Sequence, residues 1–83
     1  MMDKIIQMNK AVVSNTVTYN IRTQDGLMYQ VIQKIEPNKN VYTECIYFMA
    51  RGIPHLLRQC VLPVHKTPEP DFKEFIEGAG ISH

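Results

Sequence analysis

The stretch from Thr16 to Ile35, TVTYNIRTQDGLMYQVIQKI, holds two runs of alternating apolar and polar residues on either side of Gln24-Asp25-Gly26. Val17, Tyr19 and Ile21 alternate with Thr16, Thr18, Asn20 and Arg22, the period-two pattern of a half-buried strand. Leu27, Tyr29, Val31 and Ile35 repeat it on the second run. Loop length then sets the register. A two-residue Asp-Gly turn would set Tyr19 against Ile32 and put the apolar side of one strand behind the polar side of the other. A three-residue loop with Gly26 in the left-handed region pairs Ile21 with Tyr29 and Tyr19 with Val31. Only the second brings apolar faces together, so the sequence predicts a hairpin closed by Gly26.

The next run, Val41 to Ala50, is rich in β-branched and aromatic residues. Reading Glu36-Pro37-Asn38-Lys39-Asn40 as a five-residue turn pairs Ile35 with Val41. Tyr29 then faces Tyr47, Val31 faces Cys45, and three strands share one apolar face. Leu56 to His65 admits two readings. Leu56, Leu57, Cys60 and Val61 fit a short helix, whereas Cys60 to Val64 resembles a strand that Pro63 would confine to a sheet edge, and the strand is favoured.

Beyond that segment the spacing predicts a helix. Thr67 can cap it, Pro68 suits its first position, and Glu69 and Asp71 lie near the positive end of its dipole. Phe72, Phe75, Ile76 and Ala79 fall on one side, Lys73, Glu74 and Glu77 face water, and Gly78 and Gly80 offer a stop. At the other end, Met2, Ile5, Ile6, Asn9, Val12 and Val13 follow helical spacing, giving a helix over residues 3–12, although Ala11-Val12-Val13 could equally begin a strand. The expected architecture is α+β, one domain over residues 1–83. A three- to four-stranded antiparallel meander carries the C-terminal helix on one face, and an N-terminal helix completes it.

Composition bounds what such a chain can be. With 83 residues, 45% of them apolar and a formal charge of +1, it has the make-up of a small globular domain and not of a disordered chain. Residues 1–66 hold eight basic side chains against four acidic ones, while residues 67–83 hold one against four. The balance argues against a dedicated nucleic-acid surface. Its longest charge-free apolar stretch, Cys45 to Ala50, is far short of the roughly 18–20 residues that cross a bilayer. The N-terminal residues do not read as a secretory signal, so the expected location is the cytosol, where Cys45 and Cys60 are most simply small buried hydrophobes.

Chemistry-bearing residues are present without a catalytic arrangement. Cys45, His55, Cys60 and His65 are zinc-ligand types, yet no two are spaced as structural zinc sites require. Cys60 beside His55 or His65, with Arg58 near the thiol, lacks an orienting third group. Arg51-Gly52-Ile53-Pro54 and Gly78-Ala79-Gly80 are not phosphate cradles. The expectation is a protein that is not an enzyme and has neither metal nor cofactor.

The most informative feature is the second face of the sheet. In the register above, Met28, Ile32, Tyr42, Ile46 and Phe48 all point there, with Arg22, Lys34 and Arg58 at the rim. Either residues 1–13 cover this face or another protein does, and an apolar patch of that size marks a contact surface. The leading expectation is a small protein–protein interaction module, a homodimer or an inhibitory protein. The alternative is a single-stranded nucleic-acid-binding sheet using Tyr42 and Phe48 with Arg22, Lys34 and Arg58.

Overall fold

Period-two alternation runs through most of the chain up to Pro63, and the chain answers it with strands. The computed structural model describes residues 4–63 and 69–79. Strands β1 (Ile5–Val13), β2 (Thr16–Thr23), β3 (Met28–Glu36), β4 (Val41–Ala50) and β5 (Ile53–Pro63) make one antiparallel sheet in chain order, and helix α1 (Glu69–Ala79) follows. The sheet thus has five strands, where three or four were expected, and the N-terminal segment is a strand and not a helix.

The reason for the second difference lies in β1 itself. A bulge between Ile5 and Gln7 lets Ile5 pair with Thr23 and Met8 with Ile21, so residues three apart share a face. That spacing imitates a helical turn in the sequence. Beyond the bulge, Met8, Lys10 and Val12 alternate regularly opposite Ile21, Tyr19 and Val17. A second bulge, between Leu56 and Arg58, blurs the alternation of β5 in the same way. The edge position expected for that strand is the observed one, with Pro63 as its last residue.

The β2–β3 hairpin has the expected register, Ile21 opposite Tyr29 and Tyr19 opposite Val31. Gly26 stands at φ +88°. The Gly26 N–H donates to the Thr23 carbonyl at 3.0 Å, and the Thr23 N–H to the Leu27 carbonyl at 3.0 Å.

The next connection departs from expectation by one residue, and that residue matters. Glu36 pairs with Val41 and Ile35 with Tyr42, so the loop is Pro37 to Asn40. A 3-10 turn over Pro37–Lys39 ends on Asn40 at φ +56°, whose N–H donates to the Pro37 carbonyl. Asparagine tolerates this left-handed conformation, which lets the loop close one residue earlier. A one-residue change of register turns every side chain of a strand over. Tyr42, Glu44, Ile46 and Phe48 therefore face α1, and Cys45, Tyr47 and Met49 face away.

Helix α1 lies over the first of these faces. Phe72 and Ile76 are fully buried against Tyr19, Ile21, Tyr29, Val31 and Ile46. The Phe72 ring sits 4.7 Å from that of Tyr19, and the Arg58 guanidinium lies 5.2 Å over Phe75. Lys73 and Glu74 are exposed as the spacing requires, while the Glu77 carboxylate accepts a hydrogen bond from the Ile5 N–H at 2.9 Å. The helix continues through Gly78, read as a stop in the sequence. Thr67, Pro68 and Gly80, assigned to its cap and stop, lie outside the described residues, as do His65 and Lys66.

The register also buries a carboxylate. Glu44 has no exposed surface, and its Oε2 accepts from Gln33 Nε2 at 2.9 Å. Cys60 Sγ lies 3.9 Å from Glu44 Oε1 and 3.9 Å from an Arg58 nitrogen. This polar chain supplies partners to a group that would be costly to bury alone.

Candidate functional site

The face turned away from α1 is built in rows that cross β3, β4 and β5. Met28, Met49 and Pro54 form one row; Gln30, Tyr47 and Leu56 the next; Ile32, Cys45 and Gln59 the third; and Lys34, Thr43 and Val61 the fourth. Met28 is 47% exposed, Leu56 52% and Val61 61%, whereas Ile32, Cys45, Tyr47 and Met49 are half-buried by their neighbours in the sheet. Residues of β1 cannot cover these rows, because β1 extends the sheet sideways.

Across β1 and β2 the same face turns polar. The Gln30 amide nitrogen donates to Asn20 Oδ1 at 3.2 Å. Gln7, Asn9, Asn20, Arg22 and Met28 border a shallow depression of about 150 Å³. Within the apolar rows, Tyr47 holds its phenolic proton more tightly than the ordinary value of 10.0 implies. The first cause is its side-chain hydrogen bond with Cys45, followed by burial and by the Coulombic effect of the same thiol.

The contact residues expected from the sequence are divided between the two faces. Met28, Ile32, Arg22 and Lys34 lie on the uncovered face, as expected. Tyr42 is 3% exposed, Ile46 is fully buried and Phe48 packs against Tyr29 with ring centroids 5.6 Å apart, all on the helix side. Arg58 is on that side too, over Phe75. The residues that take their places are Cys45, Tyr47, Met49 and Leu56. The signal for Cys45, Tyr47 and Met49 was present in the alternation of β4, and the loop before it decided which half of that alternation faced out.

The same division bears on nucleic-acid recognition. Tyr19, Tyr29 and Tyr42 are buried on the helix side, which leaves Tyr47 as the aromatic of the open rows, with Arg22 and Lys34 on the same face but in other rows. Cys45 and Cys60 are free thiols on opposite faces. Among the described residues no three His, Cys, Asp or Glu side chains are grouped to hold a metal ion. No helix among them is long and apolar enough to cross a membrane. No protein-family model, curated protein or solved structure matches the chain.

Proposed function

We propose that this protein is a small, non-enzymatic protein–protein interaction module whose contact surface is the uncovered face of β3, β4 and β5. The observation that carries the reading is the set of adjoining apolar rows centred on Ile32, Cys45, Tyr47 and Met49, with a polar border along β1 and β2. Contact surfaces of proteins have this anatomy, an apolar centre rich in aromatic and methionine side chains within a polar rim. A binding or inhibitory role follows from it, in a reducing cytosol where both cysteines stay as thiols.

Photo-cross-linking in the native host tests this. A benzophenone amino acid in place of Tyr47 reports on the open face, and the same group in place of Lys73 reports on the exposed side of α1. The expected result is a discrete protein adduct from position 47 and none from position 73. An adduct with nucleic acid from position 47 would replace this reading by single-stranded nucleic-acid binding. Equal labelling from both positions would remove the face as a contact surface.

A further inference from the structure

We propose that the outer edge of β1 receives an extended, acidic segment of another protein as a further strand of the sheet. This edge is separate from the open rows of β3, β4 and β5 and is available whether or not those rows are occupied.

Backbone direction comes first. In an antiparallel pair, successive residues turn their N–H and C=O groups to opposite sides. The Thr23 N–H donates to the Leu27 carbonyl and the Asn15 carbonyl accepts from the Ile35 N–H, so the odd-numbered residues along β2 serve β3. The Gln24 N–H donates the other way, to the Lys4 carbonyl. Met8, Lys10 and Val12 stand opposite Ile21, Tyr19 and Val17, so their own backbone groups point away from β2. Among the described residues no strand lies on that side. Ile5, opposite Thr23, points its N–H the same way, and Glu77 Oε2 accepts it at 2.9 Å. The chain thus caps one outward donor with a carboxylate and leaves those from Met8 to Val12 open. Open groups on a strand edge recur about every 6.8 Å, a spacing that another extended backbone matches and that a helix, with its groups bonded internally, does not. The opposite edge has Pro54, Pro63 and a bulge against such pairing, whereas β1 has no proline.

Charge then selects the occupant. Residues 4–23 hold Lys4, Lys10 and Arg22 and no acidic residue. Lys10 is exposed, its Nζ 5.8 Å over the Tyr19 ring, and no carboxylate of a described residue pairs with it. An added strand places one side chain opposite Lys10 and its two same-side neighbours opposite Met8 and Val12, the latter 62% exposed. The complementary segment reads apolar–x–acidic–x–apolar, which is the same in either direction. A second copy fits less well, because β1 pairs with itself over all of Met8 to Val12 only by setting Lys10 against Lys10, and like charges directly opposite destabilise a strand pair.

The test titrates an end-blocked peptide, Thr-Val-Thr-Glu-Thr-Val-Thr, into the nitrogen-15-labelled full chain at low ionic strength, read by amide chemical shifts. Saturable shifts at the Met8, Lys10 and Val12 amides are expected. Val12→Pro removes an outward donor and no β1–β2 hydrogen bond, so far-UV circular dichroism should be unchanged while the dissociation constant rises about tenfold or more. Lys10→Glu should raise it about fivefold, and a peptide with lysine in place of its glutamate should recover the loss. No shift up to millimolar peptide overturns the proposal. Shifts at Cys45 and Tyr47 in place of those on β1 also overturn it, while leaving the contact reading of the open face intact. Equal affinity of the glutamate and lysine peptides for the unaltered chain overturns the acidic partner. Self-association that is lost in Val12→Pro overturns it in favour of a second copy at this edge.

Discussion

Gly26 occupies a backbone conformation that a side chain would strain, and it does so without any packing reason. A Cβ at this position would meet no atom within 4 Å, so the cost of placing one there is the cost of φ +88° alone. Asp25 reinforces the turn, its Oδ1 accepting from Thr23 Oγ1 and, at 3.4 Å, from the Leu27 N–H. Gly26→Ala should therefore destabilise the fold by about 1–2 kcal/mol, and Gly26→Asn by clearly less, since asparagine visits this region more readily. Urea unfolding measures both, and an unchanged midpoint for the alanine variant would show that the loop relaxes to another turn. Glu44 is the opposite case, a residue defined by its surroundings. Its burial beside Gln33 and Cys60 follows from the strand register, and nothing in its sequence neighbourhood marks an acid for the interior.

At the scale of elements, α1 is anchored by two fully buried side chains, with Phe75 and Glu77 adding contacts at its margin. Phe72 and Ile76 have no exposed surface, and Phe72 reaches the sheet through Tyr19. Phe72→Ala should cost about 3–5 kcal/mol, the range for removing a large buried ring. Lys73→Ala on the exposed side should cost little, so comparing the two by chemical denaturation separates packing from helix propensity. The helix was legible in the sequence because its apolar spacing has one solution. So was the β2–β3 hairpin, where only one loop length aligns apolar with apolar. Strand β4 was not legible in the same way. Tyr42, Ile46 and Phe48 alternate with Val41, Cys45, Tyr47 and Met49, so both halves are apolar and burial cannot choose between them. The choice fell to the conformation of Asn40, which spacing does not reveal. Bulges hid β1 and part of β5 by the same kind of ambiguity, giving strands the spacing of helices. The existence of a second apolar face was therefore readable, while half of its membership was not.

At the scale of the molecule, a single small layer pair is a narrow basis for stability. Chains of this length bury only about 60–65% of their unfolded surface, and here no described residue covers the second sheet face. If a second copy covers it, folding and association are linked and the melting temperature must rise with protein concentration. Differential scanning calorimetry across a hundredfold dilution series checks this, and a concentration-independent midpoint would mark the monomer as the whole cooperative unit. The two edges also differ. Strand β5 carries Pro54, Pro63 and a bulge, devices that discourage further strand pairing, whereas β1 is regular from Gln7 to Val13.

The order of the elements along the chain has its own consequence. Every strand pairs with the one made just before it, so the sheet can assemble hairpin by hairpin as the polypeptide leaves the ribosome. Helix α1 is made after all five strands. Until it arrives, the rows from Tyr19 to Ile46 are as bare as those on the other side, and a nascent sheet offers two apolar faces to its neighbours on the same message. The interval between the emergence of β5 and the docking of Phe72 and Ile76 is thus when both faces of the sheet are bare.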